Sequence, residues 1–352
     1  MKTVFVAMSG GIDSSITAYL LQNEGFKVVG MTFQLLPDSM RNINNPKACC
    51  SIETILKAKR VADALSIPHY VVNLREEFKE FVIERFINEY RAGRTPNPCI
   101  LCNQFIKFSA FFQKSLAIGA EYIATGHYAK IEKISETYYL NKATDKSKDQ
   151  SYFLYPIKEN QLSRILFPLG GYTKSTIFSL VQKIGWKNAD SYKESQDICF
   201  IPNGQYRTFL SKFIHLKKGP IYTVDGKLIG HHDGIHLYTI GQRKGLNIPY
   251  TEPLYVIETR PQENSLIVGS KMNLQKKKLT AAEVNILSDY TEGITGKVRY
   301  RQKEEKCSYS VKDDILNVEF NENIDAITPG QSIVLYSQDR VVGGGIIENS
   351  SL

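Results

Sequence analysis

The segment Ser9–Ser15 has the composition of a loop that binds phosphate. It has the sequence SGGIDSS, follows an apolar β-like run and precedes a helical pattern. Glycines permit close approach of the backbone, and main-chain N–H groups together with the N-terminus of the following helix face an anion. The segment lacks the lysine of the G-x-x-x-x-G-K-S/T loop, which argues against an NTPase that hydrolyses the terminal phosphate. The alternative is an ordinary glycine-rich turn between a strand and a helix.

Two cysteines lie where thiol chemistry is expected. Cys102 follows the proline-containing segment Thr95–Leu101 at the predicted start of a helix. The helix N-terminus and the cations Arg94 and Lys107 would lower its thiol pKa there. Cys199 lies where a polar segment becomes apolar. One thiol could bear a terminal persulfide while the other attacks it and leaves a disulfide. A buried, inert thiol is the alternative for each cysteine.

A metal site competes with this interpretation. Cys99 and Cys102 have the spacing of zinc or iron–sulfur ligands, and Cys49, Cys50 and Cys199 could complete such a site. The second C-x-x-C that would strengthen the prediction is absent from the sequence. The pattern therefore leaves open whether Cys99 binds an iron–sulfur cluster or another metal.

Three further segments combine residues that bind metals or RNA. His231, His232 and His236 lie in a glycine-flanked turn, which predicts either a hydrogen-bonded loop next to RNA or a metal site. Tyr238–Leu246 and Arg299–Arg301 each combine tyrosine with basic residues, which suits contact with a phosphate backbone and stacking on bases. A solvated basic turn and an exposed strand edge, respectively, explain the same residues without RNA.

The composition limits the class of protein. The chain has 352 residues, of which 42% are hydrophobic, so we expect two or three domains with separate cores. Its 44 Lys and Arg against 36 Asp and Glu give a formal charge of +8, which favours a polyanionic partner without proving one. The first apolar run is too short for a signal peptide, and no apolar stretch reaches membrane-spanning length. We therefore expect a cytoplasmic protein without a membrane partner.

The first half of the chain alternates β-like and helical patterns, which predicts a parallel sheet covered on both faces. Gly25 and Gly119 stand where helices should end. The region from about 158 to 183 looks helical, with Gly185 expected to end the last helix. The predicted strands are Thr3–Ala7, Lys27–Phe33, His69–Asn73 and Tyr122–Thr125, and the predicted helices are about 14–24, 51–64, 76–90 and 103–116.

Glycines and short alternating strands recur after about residue 205, which predicts a small, mostly β domain followed by a compact antiparallel barrel or sandwich. We expect Lys271–Lys278 to be a solvated linker, and residues 34–47 to form a mobile flap near the nucleotide. The predicted domains are an α/β domain that contains the phosphate-binding loop at 1–204, a small β-rich domain at 205–275 and a β-barrel at 276–352.

The order and spacing of these motifs resemble those of the tRNA-specific 2-thiouridylase family over nearly the whole chain. Within that comparison Ser9–Ser15 resembles the pyrophosphate-binding loop of ATP pyrophosphatases, which cleave ATP between the α and β phosphates. The resemblance implies an α/β domain of the adenine nucleotide alpha hydrolase type, then a small mostly β domain and an antiparallel β-barrel. The motifs that match are Met8–Ser15, Thr95–Pro98, Leu101–Asn103, Ala124–Tyr128, Lys148–Tyr152, Cys199–Ile201 and Tyr238–Leu246.

The resemblance also implies a role for particular residues. Cys102 would be the nucleophile and Cys199 the persulfide cysteine, while Asp13 would help to hold Mg²⁺. Many family members have an acidic residue in place of Cys99, so the thiol leaves the acid–base assignment open. The implied ATP-binding residues are Ala7, Met8, Ser9, Gly10, Gly11, Ile12, Asp13, Ser14, Phe33 and Gly126. The implied tRNA-contacting residues are Asn97, Pro98, Cys99, His127, Lys148, Asp149, Gln150, Arg299, Tyr300 and Gln331.

The reaction implied by the resemblance is ATP-dependent 2-thiolation of uridine 34 in the tRNAs for Lys, Glu and Gln. ATP would adenylate the C2 oxygen, and persulfide sulfur from a sulfur-relay protein or cysteine desulfurase would replace it. One rival hypothesis is an ATP pyrophosphatase that forms an amide or amidine on a small metabolite. The other is a tRNA-binding or sulfur-carrier module that does not consume ATP.

Overall fold

The computed structural model describes most of the chain. The flap predicted at residues 34–47 lies largely outside the described residues, as do Cys49 and Cys50. None of the helices in the described part is both long and apolar enough to cross a membrane. The described residues are 1–37, 40, 52–184, 198–201 and 205–351.

The chain forms two compact units, which we call the first and the second unit. Both are built from more than one stretch of the chain, so neither corresponds to a single continuous segment. The first unit comprises residues 1–83, 98–205 and 339–341, and the second comprises residues 84–97, 206–338 and 342–352.

The strands of the first unit confirm the predicted parallel sheet. Five strands pair in the order β3-β2-β1-β4-β7, and β5 and β6 form an antiparallel hairpin that is not part of this sheet. Because the chain adds strands on one side of β1 and then returns to the other side, the sheet order reverses between β1 and β4. Open parallel sheets bind ligands beyond the carboxyl ends of strands at such a point. The strands are β1 (Thr3–Ala7), β2 (Lys27–Gln34), β3 (His69–Asn73), β4 (Tyr122–Ala124), β5 (Ala129–Ile134), β6 (Thr137–Lys142) and β7 (Ile165–Leu166).

The helices follow the predicted order with three differences. The helix predicted at 76–90 contains a π-helix of six residues, Lys79–Glu84. The helix predicted at 103–116 begins at Pro98, and its middle, Cys102–Phe111, is a π-helix of ten residues. The region predicted to be helical from 158 to 183 also contains a strand, because Ile165–Leu166 pair with β4, and a 3₁₀ turn that begins at a proline follows. The α-helices are α1 (Ile12–Asn23), α2 (Ile52–Ala64), α3 (Arg75–Phe78), α4 (Arg85–Arg91), α5 (Pro98–Leu101), α6 (Phe112–Ala117), α7 (Glu159–Leu162), α8 (Lys174–Lys183) and α9 (Tyr206–Leu210).

Helix α1 is buried on two sides, which fixes the loop that precedes it. Ala18 and Leu21 pack against β1, β2 and α2. Ile12 and Ile16 pack on the other side, in a cluster that includes Ile177 of α8. Complete burial of one aliphatic side chain stabilises the fold by about 1.5–3 kcal/mol. The position of Ser9–Ser15 therefore depends on the core of the first unit rather than on the loop alone.

The second unit contains a small mixed sheet with the strand order β10-β11-β8-β9 and a six-stranded antiparallel barrel. Strand β12 pairs with both β15 and β17, which closes the barrel around buried side chains such as Val318 and Ile333. The barrel confirms the predicted fold of the tail. The strands are β8 (Gly219–Thr223), β9 (Leu228–His232), β10 (Tyr255–Arg260), β11 (Ser265–Gly269), β12 (Gln275–Ile286), β13 (Ile294–Lys297), β14 (Glu305–Lys312), β15 (Ile315–Asp325), β16 (Ser332–Ser337) and β17 (Arg340–Ser351).

The segment Lys271–Lys278 is not the linker that its lysines suggest. It begins with a 3₁₀ turn in which Asn273 accepts hydrogen bonds from the N–H and the hydroxyl of Ser270, and it continues as the first residues of β12. Lys278 pairs with Glu319 of β15 while its neighbour Leu279 is buried. The prediction was wrong because Lys276–Lys278 belong to a strand whose next residues, Leu279 and Ala281, contribute to the barrel core.

Candidate active site

Hydroxyl groups within the loop Ser9–Ser15 maintain its shape. The Ser14 hydroxyl accepts a hydrogen bond from the Ser9 N–H at 3.1 Å and donates to the Gly11 carbonyl at 3.0 Å. Ser15 donates to the same carbonyl at 2.8 Å. Gly11 occupies the N-cap of α1, where it offers no side-chain oxygen to the first N–H groups of the helix. These N–H groups can therefore meet an anion, as the sequence predicts.

Two glycines allow the loop to pack closely. Gly10 has a φ of +70°, and an added Cβ would lie 2.8 Å from the Thr54 carbonyl oxygen. Gly126 follows β4, and an added Cβ there would lie 2.9 Å from both the Asp13 carbonyl carbon and the Ser14 nitrogen. The structure therefore brings Gly126 against the loop, at the point where the sheet order reverses. The assignment of both glycines to ATP binding stays a prediction.

The pair Gly10→Ala and Gly11→Ala tests this packing. At Gly10 the methyl group meets backbone at a positive φ, whereas at Gly11 it meets only the Ser9 hydroxyl at 3.5 Å. We expect Gly10→Ala to lower the free energy of unfolding by about 1–3 kcal/mol more than Gly11→Ala. Thermal unfolding of the ligand-free protein measures the difference. Equal stability of the two variants would contradict the packing described here.

Asp13 is paired with a lysine that the sequence analysis missed. The ammonium of Lys174 lies 2.7 Å from Asp13 Oδ1 and 2.9 Å from Oδ2. The Tyr128 hydroxyl also donates to Oδ1, at 3.0 Å. Lys174 is separated from Asp13 by 161 positions and stands in no recognisable motif. The only local signal is Thr173, which caps α8 and predicts that Lys174 begins a helix.

This arrangement bears on the predicted role of Asp13 in Mg²⁺ binding. Both carboxylate oxygens already accept from the Lys174 ammonium, which opposes a second cation at the same oxygens. Mg²⁺ also demands near-octahedral oxygen ligands. Within the described part of the chain, no group of three or more His, Cys, Asp or Glu could hold a metal ion. The described residues alone therefore supply no complete set of magnesium ligands, and the role of Asp13 in Mg²⁺ binding stays a prediction.

His127 is held in a neutral state beside the loop. Its Nδ1 lies 2.6 Å from the Thr125 hydroxyl, and its Nε2 lies 3.3 Å from the Lys107 ammonium. Burial and the charge of Lys107 hold the pKa of His127 well below its usual value. Because an ammonium can only donate, Nε2 accepts and Nδ1–H donates to Thr125. The imidazole is therefore fixed in one tautomer, and its predicted contact with tRNA stays a prediction.

The loop predicted to contact tRNA at Lys148–Gln150 is bound to Tyr128. The Tyr128 N–H donates to Gln150 Oε1 at 3.0 Å, and the Gln150 N–H donates to the Tyr128 carbonyl at 2.8 Å. Asp149 is buried and accepts from the Ala143 N–H and the Ser151 hydroxyl. The Asp149 side chain thus maintains the loop from inside, while Gln150 connects it to the residue that contacts Asp13.

The structure corrects the predicted position of Cys102. The helix begins at Pro98, four residues before Cys102. Cys102 therefore lies one turn inside it. Proline is favoured in that first turn because its missing N–H would have no helical partner. The influence of a helix N-terminus falls off within the first turn, so this argument applies to the exposed Cys99 rather than to Cys102.

Cys102 and Cys199 both belong to the first unit, and each is partly buried. Helix α3 packs against the π-helix that begins at Cys102. The ring of Phe78 in α3 also contacts the ring of Phe200 at a centroid distance of 5.8 Å. The segments that contain the two thiols therefore meet the same short helix. The roles of the cysteines as nucleophile and persulfide carrier stay predictions.

The alternative of an iron–sulfur cluster depends on residues that the described structure does not contain. Cys99 and Cys102 lie on consecutive helical segments, but Cys49 and Cys50 are outside the described residues. A cluster requires several cysteine thiolates around one site. In the described ranges, His, Cys, Asp and Glu do not form a group of three that could supply them.

The predicted RNA contacts of the second unit include two side chains that bond to the main chain. Arg299 donates to the carbonyls of Ile240 and Ala326 and to the Thr328 hydroxyl. Gln331 donates to the Thr95 carbonyl at 2.7 Å. These bonds position the barrel loops. Asn97 and Tyr300 are partly exposed, and the expectation that these four residues contact tRNA stays untested.

The histidine turn is a hydrogen-bonded structure. His232 is buried, accepts from the Gly234 N–H at Nδ1 and lies 3.0 Å from the Asn264 carbonyl at Nε2. His236 Nδ1 lies 2.7 Å from the Tyr90 carbonyl. Burial lowers the pKa of His232, as expected for a neutral ring that donates from one nitrogen and accepts at the other. The geometry favours the hydrogen-bonded loop over the metal site.

Three family models match almost the whole chain. Two of the models are named after tRNA methyl transferases, and the third is named after aminomethyltransferases. They are described as a tRNA methyl transferase HUP domain (residues 2–203), a tRNA methyl transferase PRC-barrel domain (207–270) and an aminomethyltransferase beta-barrel domain (276–347).

Curated relatives are 43–45% identical to this chain over nearly their full length. A tRNA-specific 2-thiouridylase of Caldanaerobacter subterraneus subsp. tengcongensis is 45% identical over 98% of this chain and 97% of its own. One from Clostridium botulinum strain Hall is 43% identical over 99% of both chains. A solved structure described as a 4-thiouridine synthetase–RNA complex with bound ATP covers 60% of this chain and 50% of its own, at 19% identity and a TM-score of 0.39. Similarity as weak as the last supports no functional argument.

Proposed function

Because this chain belongs to the tRNA-specific 2-thiouridylase family, we propose that it replaces the C2 oxygen of a tRNA uridine with sulfur and consumes ATP to do so. The observation that carries the proposal is the placement of a lysine-free phosphate loop at the switch point of a parallel sheet, in the same unit as two partly buried thiols. Methyl transfer, which the names of the family models mention, would need neither the loop nor the thiols.

The first proposed step is adenylation of the uridine. The loop Ser9–Ser15 binds the phosphates beyond β1, and the ring of Phe33 flanks the adenine. Phe33 is partly exposed at the end of β2 and packs against Phe111 at a centroid distance of 4.8 Å, which supports this role. The uridine C2 oxygen attacks the α phosphorus and pyrophosphate departs. Adenylation is required because a pyrimidine carbonyl oxygen is otherwise too poor a leaving group.

The second proposed step transfers sulfur. The terminal sulfur of a persulfide on Cys199 attacks C2 and expels AMP, which leaves Cys199 joined to the base through a disulfide. The Cys102 thiolate then attacks the Cys199 sulfur, so that the sulfur atom stays on C2 and a disulfide forms between Cys102 and Cys199. A thiol reductant restores both cysteines. The route requires the segments of both thiols to meet, as their shared contact with α3 favours.

The finer assignments rest on the family. We propose uridine 34 of the tRNAs for Lys, Glu and Gln as the substrate, a sulfur-relay protein or cysteine desulfurase as the donor, and the cytoplasm as the location. The proposed domains are 1–204, 205–275 and 276–352. The residues matched by the three family models, 2–203, 207–270 and 276–347, support these boundaries.

Product analysis tests the ATP chemistry. The protein is incubated with ATP labelled at the α phosphate, unmodified tRNA and a persulfide donor. We expect labelled AMP and unlabelled pyrophosphate in equal amounts, released only when tRNA is present. Release of ADP and phosphate, or AMP formation that is independent of tRNA, would contradict the proposal.

A further inference from the structure

Lys174 is a buried lysine whose side chain and main chain are both held by hydrogen bonds. The residue is 9% exposed, and its ammonium contacts both oxygens of Asp13. Its main-chain N–H donates to Asp145 Oδ2 at 3.0 Å, and this bond is the largest cause of the lowered pKa of Asp145. A buried charge is costly unless it is paired. The pairing with Asp13 therefore allows the fold to hold one buried ammonium beside the second residue of α1.

The electrostatics of this place favour a polyanion. Lysine is unfavourable in the first turn of a helix, and a cation is unfavourable near the positive N-terminal end of any helix. Lys174 nevertheless begins α8, and its ammonium lies at the N-terminal turn of α1 through Asp13. Asp145 accepts from the first turn of α8, and Asp13 offsets only the ammonium. The positive potential at the N-terminus of α1 and its loop is therefore not offset.

We propose that Lys174 is a catalytic residue of adenylation, whose ammonium binds the phosphates of ATP and neutralises the departing pyrophosphate. The inference rests on the proposed function. When the uridine C2 oxygen bonds to the α phosphorus, the bond from that phosphorus to the bridging oxygen breaks and negative charge collects on pyrophosphate. A cation placed beforehand stabilises that charge without transferring a proton. Asp13 and Tyr128 then act as positioning residues that hold the ammonium at the loop.

Differential nucleotide binding tests the proposal without requiring turnover. Isothermal titration of ATP and of AMP is compared in the wild type, Lys174→Met, Lys174→Arg and Lys183→Met. Lys183 is exposed at the other end of α8 and serves as the matched control. We expect Lys174→Met to weaken ATP binding at least tenfold and AMP binding by less than twofold, because AMP lacks the pyrophosphate. Lys174→Arg should recover part of the ATP affinity, and Lys183→Met should match the wild type.

A double variant distinguishes phosphate binding by Lys174 from a purely structural role of its ion pair with Asp13. Asp13→Asn/Lys174→Met removes both charges and leaves no unpaired carboxylate in the site. If the lysine only neutralised Asp13, the double variant would bind ATP more tightly than Lys174→Met and approach Asp13→Asn. We expect it to stay as weak as Lys174→Met, and recovery would overturn the proposal. Equal loss of ATP and AMP affinity, or no loss, would also overturn it. A wild type that binds neither nucleotide would instead refute the proposed function.

Discussion

Cys199→Ser is expected to abolish thiolation while tRNA-dependent release of pyrophosphate continues. A serine hydroxyl cannot bear a persulfide, so no sulfur reaches C2, but the phosphate loop and the uridine are unchanged. We expect formation of thiolated uridine to fall at least 1,000-fold, to background, while the rate of the first pyrophosphate release stays within about threefold of the wild type; a loss of that size corresponds to about 4 kcal/mol. Single-turnover reactions that follow both products in the same sample measure this separation.

Cys307→Ala is the matched control for this prediction. Cys307 is buried in the barrel core, and burial raises the pKa of its thiol to about 12, so it cannot serve as a nucleophile at neutral pH. Thiolation by Cys307→Ala should match the wild type. Thiolation that persists in Cys199→Ser would refute the persulfide assignment, whereas loss of both pyrophosphate release and thiolation would assign Cys199 to substrate binding.

Cys102→Ser is expected to stop the reaction one step later. Without a second thiolate, the tRNA should remain attached to Cys199 through the transferred sulfur. We expect this covalent adduct to accumulate to about one per enzyme, and free thiolated tRNA to fall at least 100-fold in the absence of added thiol. Denaturing electrophoresis detects the adduct, and a small dithiol should release thiolated tRNA from it because it replaces the missing thiolate.

Cys99→Ser tests which of the two thiols of the C-x-x-C motif resolves the adduct. Cys99 is exposed and one helical turn before Cys102, so it is the alternative resolving thiol. If Cys102 has that role, Cys99→Ser should accumulate no adduct. An adduct in Cys99→Ser but not in Cys102→Ser would exchange their assignments, and an adduct in neither variant would contradict the disulfide route.

The sequence predicted the elements whose residues alternate clearly between core and solvent or form continuous apolar runs. Strand β1 is such a run, and its bounds agree with the prediction. Gly25 and Gly119 have φ values of +85° and +94° at the ends of their helices, as the C-cap argument requires. The loop Ser9–Ser15 was equally predictable, because its glycines, the preceding strand and the following helix are adjacent in the chain.

Other features depend on contacts between distant residues, which a single sequence does not contain. Lys174 reaches Asp13 only because α8 packs on α1 through the cluster that includes Ile16 and Ile177. The π-helix at Cys102–Phe111 depends on a hydrogen-bond pattern for which residue propensity gives no signal. The strand Ile165–Leu166 resembled part of a helix, because two residues are too few to display an alternating pattern.

Mass spectrometry of tRNA nucleosides tests the central claim most directly. Unmodified tRNA is incubated with the protein, ATP and a persulfide donor labelled with a heavy sulfur isotope, then digested to nucleosides. We predict one 2-thiouridine per substrate tRNA, which contains the heavy isotope and is absent when ATP is left out. Uridine that remains free of sulfur under conditions in which ATP is bound, or sulfur that enters without ATP, would contradict ATP-dependent thiolation by this protein.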